Sequence, residues 1–293
     1  MKSPANGPTA GIAWIAGRWG SPTELSLPLQ DRGLRLADGL FETVLVQAGQ
    51  PVLLEAHLRR WRASAALLAM APPPSEQQLE PLIQAAIQRT NLDGPACGAL
   101  RLNWSRGDGS GRGIDLPSAS SSESRDATGH RFWLQLTPTT PAFEPQTACI
   151  SRHERRNGAS RLSRCKTFAY GQAVQARREA HEAGADEALL LGVGGDLCCG
   201  AVANLLVWRR GRWLTPPLNS GCLPGVMRAR ALELGLAEEA ELPWSGQADA
   251  LAPSEERWLL LNSLGCRPVS AVNGQPIQHL SAAEAEALWR QLL

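Results

Sequence analysis

The sequence predicts a mixed chain of the α+β or α/β class, folded as two domains. Three observations predict it. Short apolar or β-branched runs recur between stretches of helical period. A tract rich in Ser and charge, Pro117 to Thr128, breaks that pattern near the middle and has no apolar period. The chain has 293 residues, 43% hydrophobic and 19% charged, which suits one large or two medium globular domains. The expected division is a smaller domain over 1–122, a flexible connector over 123–129 and a larger domain over 130–293.

The elements follow in order. Ile12 to Trp19 reads as a short strand and turn. In Asp31 to Val46 the second half is strand-like, and Gln47-Ala48-Gly49-Gln50 suggests a hairpin turn. Leu53 to Met70 has helical period, with Leu54, His57, Leu58, Trp61, Ala65 and Leu68 near one face. Pro72-Pro73-Pro74 stops it. Ser75 can cap a further helix through Gln88. Ala99 to Trp104 is a strand, and His130 to Thr137 reopens strand character for the second half. There, strands at Cys149–His153, Glu187–Leu191 and Leu205–Trp208 alternate with helices at Gly171–Ala183, Met227–Leu234 and Ala282–Leu292.

Composition excludes several classes. The formal net charge is +1, which gives no electrostatic case for nucleic acid or an anionic membrane. No apolar run is long enough to cross a bilayer, and Met1 to Ala10 lacks a signal-peptide core. Seven cysteines are scattered without metal-ligand spacing, and Cys198-Cys199 are adjacent, so a reducing cytoplasm is expected. The five histidines show no ligand spacing either, so no metal is expected.

Of 29 Lys and Arg residues only Lys2 and Lys166 are lysine. An interior lysine against that preference points to a task a guanidinium cannot do: an amine that can lose its proton and form a Schiff base. Tyr170, the only tyrosine, follows four residues later. An amine near a phenol suits pyridoxal 5'-phosphate (PLP) chemistry; a surface lysine and a core tyrosine are the plainer reading. Other segments carry weaker signals. Arg60, on the periodic helix, reads from its position as a partly exposed helix arginine, but its donor fork also matches phosphate. Leu223-Pro224-Gly225-Val226-Met227 brings a glycine to a helix start, where backbone N–H groups bind phosphate. Asn262-Ser263-Leu264-Gly265 is a polar turn after an apolar strand, and its serine can cap a helix or reach a phosphate. Ser105 to Gly113 is a glycine-rich loop whose Arg106 and Arg112 can converge on an anion. Asn204, at a strand start, reads as a structural residue bonding loop backbone.

Together these segments resemble the PLP-dependent fold type IV enzymes: branched-chain aminotransferase, D-amino acid aminotransferase and aminodeoxychorismate lyase. The matching pieces are DRGLRLADGLFETVLV (31–46), HLRRW (57–61), KTFAY (166–170), AGADEALLL (183–191), ANLLVW (203–208), TPPLNSGCLPGVMRARALELG (215–235) and NSLGCRPV (262–269). The resemblance implies a homodimer with PLP in an interdomain cleft. It makes Lys166 the Schiff-base lysine. It gives the phosphate to Arg60, the N–H groups of Val226 and Met227, and Ser263, and it sets Tyr170 by the cofactor's O3'. The SRG…GRG loop looks like that of the lyases, with Arg106 and Arg112 as substrate-carboxylate anchors, Arg106 favoured. The implied reaction turns 4-amino-4-deoxychorismate into 4-aminobenzoate and pyruvate, a step toward folate. A transaminase and a non-catalytic PLP-binding protein are the alternatives. One position departs from the pattern: Cys199 stands where the family has the glutamate that faces the pyridine nitrogen.

Overall fold

The computed structural model describes residues 11–92, 94, 96–108, 113–116, 129–244 and 256–293. The chain forms two compact units. The first spans Met1–Thr140 together with Lys166–Ala169, and the second Pro141–Cys165 with Tyr170–Leu293.

The first unit is built on a six-stranded sheet. In chain order its elements are β1 (Ile12–Ile15), β2 (Arg18–Gly20), α1 (Arg32–Leu36), β3 (Gly39–Gln47), β4 (Gln50–Pro51), α2 (Leu54–Leu67), α3 (Glu76–Arg89), β5 (Cys97–Ser105) and β6 (Arg131–Thr139). The strand order is β2-β1-β6-β5-β3-β4. Helix α2 buries His57, Leu58, Trp61, Ser64 and Ala65, a stripe repeating every three to four residues. Leu40, Val44, Leu100, Leu102, Leu134 and Leu136 are fully buried on the sheet. Ser75 caps α3 in a reciprocal box with Gln78. Asp31 caps the short α1, accepting from the N–H groups of Gly33 and Leu34.

Strand β6 corrects the expected division. It pairs antiparallel with β5 along its whole length, from Cys97 opposite Thr139 to Ser105 opposite Arg131, and also with β1. The strand expected to open the second domain therefore completes the first sheet. The Ser-rich tract falls between two strands of that sheet and not at a domain boundary. Residues 123–128 of the expected connector lie outside the described residues.

The second unit carries a nine-stranded sheet. Its elements are β7 (Gln146–Arg156), α4 (Gly171–Glu182), β8 (Glu187–Gly192), β9 (Leu197–Gly200), β10 (Asn204–Arg209), β11 (Arg212–Thr215), α5 (Val226–Glu233), β12 (Ala237–Glu239), β13 (Arg257–Asn262), β14 (Gly265–Val272), β15 (Gln275–Pro276) and α6 (Ala282–Arg290). The order runs β12-β11-β10-β13-β14-β7-β8-β9, and β9 pairs back onto β10, so six strands close into a ring. Leu189, Leu191, Leu205, Val207, Trp258, Leu260 and Val269 form its core. All six residues of β8 are buried, the charged Glu187 at its start included, which explains the apolar run Ala188–Leu191.

Lys166–Ala169 adds to the first sheet rather than the second. Phe41 donates its N–H to the Lys166 carbonyl at 2.9 Å, Phe168 donates to the Gly39 carbonyl at 3.0 Å, and Thr167 bridges Leu40. Gly39 is required by that approach: a Cβ there would stand 2.1 Å from Cε2 of Phe168.

Candidate active site

In the first unit, strand alternation places Phe41 and Thr43 on one face of β3 and Leu40, Glu42 and Val44 on the other. Asn103 lies opposite Phe41, and Arg101 opposite Thr43. The Phe41 ring is thereby shared by two cations. Lys166 Nζ is 4.4 Å from its centre and the Arg101 guanidinium carbon 3.5 Å from it. Arg101 also donates through Nε to Asn103 Oδ1 at 2.8 Å. An amine and a guanidinium so placed can work on a substrate and hold its carboxylate. No local motif marks Arg101 in the sequence. The available signal was alternation: Arg101 and Asn103 are polar steps in a strand whose intervening Leu100 and Leu102 are fully buried.

The opposite face of β3 holds a buried charge cluster. Arg60 donates to Glu42 through Nε (2.8 Å to Oε1) and Nη2 (2.5 Å to Oε2). His57 Nδ1 lies 2.8 Å from Oε2 of the same carboxylate. Burial alone would raise the Glu42 pKa. The Arg60 charge and the hydrogen bonds from His57 and Arg60 outweigh it and hold the carboxyl at about 2.

Arg106, expected to anchor a substrate carboxylate, is turned inward and bonded within the first unit. Its Nε donates to Asp38 Oδ2 at 2.8 Å, and its Nη1 and Nη2 donate to the carbonyls of Ala69 and Leu68, each at 2.9 Å. Its side chain is 6% exposed. Asp38 also accepts from Arg32 Nε at 2.8 Å. Arg106 thus closes the C-terminal end of α2, where helix carbonyls lack partners of their own. Arg112 lies outside the described residues.

In the second unit, the N-terminal end of α5 and strands β9 and β10 meet. Asn204 is the register partner of Cys199, and Cys199 is also opposite Leu190. The Asn204 amide donates to the Leu223 carbonyl at 2.8 Å, the loop-bonding role expected of it. Gly225 packs on the same side chain, since a Cβ there would stand 1.9 Å from Asn204 Oδ1. Gly225 is the N-cap of α5, and no side chain caps the helix. Its leading N–H groups, at Val226 and Met227, carry the positive end of the helix dipole without a competing acceptor from a cap. Cys199 is buried beside Cys198 and Cys222. Hydrogen bonding to Cys199 and Cys222, with burial, pushes the Cys198 thiol far up. Tyr170 is the N-cap of α4, and its carbonyl accepts from Val174 at 2.9 Å. Ser263 occupies the two-residue turn between β13 and β14, where Leu264 N–H donates to Asn262 Oδ1 at 2.8 Å. Among the described residues no group is arranged to hold a metal, and no helix is long and apolar enough to cross a membrane.

The model of the family described as Amino-transferase class IV matches residues 39–272. The chain belongs to that family. Among class IV relatives, D-alanine aminotransferase of Bacillus licheniformis is 25% identical over 275 residues, covering 89% of this chain and 88% of the relative. Aminodeoxychorismate lyase of Bacillus subtilis is 26% identical over 264 residues, covering 89% and 86%. A solved fold IV transaminase from Curtobacterium pusillum superposes with a TM-score of 0.77 at 22% identity, covering 96% of this chain and 98% of that one. The fold is therefore the two-domain fold type IV, and the class IV cofactor is PLP.

Taken unit by unit, the residues have chemistry suited to that cofactor. In the first, a lysine amine is held against an aromatic ring and an arginine is fixed by a buried carboxylate; in the second, a helix starts at a glycine with no side-chain cap.

Proposed function

We propose that the chain is a PLP-dependent lyase converting 4-amino-4-deoxychorismate to 4-aminobenzoate and pyruvate. The observation that carries this reading is Cys199, a buried thiol on β9, at the position to which the motif resemblance assigns the family's glutamate. A thiol cannot stabilise a protonated pyridine nitrogen as a carboxylate does. Transamination depends on that stabilisation throughout. Elimination depends on it less, because the product ring becomes aromatic as the enolpyruvyl group leaves, and much of the driving force sits in the substrate.

In this reading PLP, when bound, withdraws electrons from the substrate's Cα. Lys166 holds the cofactor, takes the Cα proton with its amine and returns a proton to the departing group. Arg101 takes the place first assigned to Arg106 and pairs a substrate carboxylate. Arg60, the N–H groups of Val226 and Met227, and Ser263 hold the phosphate, and Tyr170 stands by O3'. The homodimer and the cytoplasmic setting expected from the sequence belong to the same proposal.

The second reading is a D-amino acid or branched-chain transaminase, favoured by the similarity to the Bacillus licheniformis D-alanine enzyme over 89% of this chain. The test is product formation from aminodeoxychorismate by PLP-loaded protein, with Lys166→Ala beside it. Pyruvate and 4-aminobenzoate that vanish in the variant support the lyase. Amino exchange that depends on a keto acid, without those products, overturns it in favour of the transaminase. PLP bound with neither activity would leave a cofactor-binding protein.

A further inference from the structure

We infer that Glu42 and His57 are positioning residues that set the Arg60 guanidinium for the phosphate group of PLP. The inference rests on the proposed role of Arg60 as a phosphate ligand and goes beyond it to two residues with no assigned part. The side chains of Glu42 and His57 are each 1% exposed and that of Arg60 11%. Glu42 comes from β3, whereas His57 and Arg60 lie three residues apart on one face of α2. The carboxylate grips Arg60 in a two-point fork, Nε to Oε1 and Nη2 to Oε2, which fixes the plane of the guanidinium and not only its place. His57 adds a third contact, at 2.8 Å to Oε2, and holds the carboxylate in the orientation the fork needs.

Stability alone explains the cluster poorly. A buried ion pair rarely outperforms apolar residues of the same volume, whereas it specifies geometry well. A charge-neutralising role makes the opposite prediction. Glu42 is anionic and close to the arginine meant for a dianion, so its removal would strengthen phosphate binding if compensation were its task. If orientation is its task, removal weakens binding.

The experiment compares PLP with pyridoxal, which has the same aldehyde and ring but no phosphate. Both are titrated by absorbance into the full chain freed of cofactor. In Glu42→Gln the Kd for PLP is expected to rise about tenfold or more, with the Kd for pyridoxal within about twofold of wild type. His57→Gln is expected to shift the same ratio in the same direction by less, and it serves in place of Glu42→Gln where that variant does not fold. Arg60→Met is expected to raise the ratio at least as far, and Glu42→Gln is expected to add nothing on top of it. An unchanged or lowered PLP-to-pyridoxal ratio in Glu42→Gln, with Arg60→Met still raising it, overturns the positioning role and leaves Arg60 as a ligand. No change in Arg60→Met overturns both.

Discussion

Phe41 holds Lys166 twice: its backbone N–H donates to the lysine carbonyl at 2.9 Å, and its ring centre lies 4.4 Å from the lysine Nζ. The amine is thus placed by strand β3 and not by its own flanking chain. Gly39, two residues before Phe41, leaves room for the Phe168 ring in the same clasp. Gly39→Ala is expected to push Phe168 aside and shift Lys166 with it. Turnover should fall by about 10²-fold, the usual consequence of misplacing a reacting group by an ångström. Steady-state kinetics check this, and a near wild-type kcat would sink it.

Arg106 makes a contrasting prediction. Its donors go to Asp38 and to the carbonyls of Leu68 and Ala69, so Arg106→Ala should damage the fold. The expected loss is about 3 kcal/mol, toward the low end for a broken buried pair because Asp38 keeps Arg32. Urea denaturation measures it. A variant with wild-type stability and a raised KM would restore Arg106 as a substrate anchor.

Acid should unfold the protein partly through Glu42. Its folded pKa, about 2, lies below the ordinary 4.5. The sign is that of a depressed carboxylate: its contribution is complete above about 4.5 and is lost as pH falls through about 2. The contribution is on the order of 3 kcal/mol. Denaturation midpoints between pH 2 and 5 should therefore fall more steeply for wild type than for Glu42→Gln. Parallel curves would contradict this.

Gly225→Ala tests the α5 start. Its backbone there is ordinary, with φ −67°, so the effect comes from the Cβ meeting Asn204 Oδ1 and not from strain. Asn204 must turn and give up its bond to the Leu223 carbonyl. The expected outcome is a loss of about 1–3 kcal/mol of stability and weaker PLP binding. Thermal unfolding and PLP titration read the two separately; neither changing would argue against the close packing.

Cys199→Glu addresses the reaction itself. It is expected to raise amino exchange with keto acids and to leave elimination within a few-fold of wild type. Elimination unchanged together with no gain in exchange would remove the case that the thiol marks a lyase.

Much of this fold was legible in local pattern. The periodic stretch Leu53 to Met70 contains α2. Ser75 caps α3 as expected of it, and the reciprocal bond from Gln78 is what the structure adds. The helix starts at Gly171 and Ala282 fall where the sequence placed them. What was missed depends on pairing between distant segments. Strand β6 reads locally as the start of something new, and only its register with β5 assigns it to the first sheet. Arg106 sits in a loop that locally suits an anion, but its donors turn to the end of α2 and to Asp38, 68 residues away in sequence. Glu42 and Arg60 are 18 residues apart on different elements, so nothing in either segment announces the fork between them. Motif resemblance singles out Lys166 and Arg60 as candidates; it could not supply the neighbours that hold them.

The grouping of Lys166–Ala169 with the first unit, although the chain on both sides belongs to the second, bears on how this architecture can be inherited. A fragment starting at Pro141 would carry the lysine without β3, and one ending at Thr140 would carry β3 without the lysine. Neither half is a portable module. Gene fission, domain shuffling or a split reporter cut between the two units should each yield pieces unable to display this amine until both are present, so the two units must be inherited together.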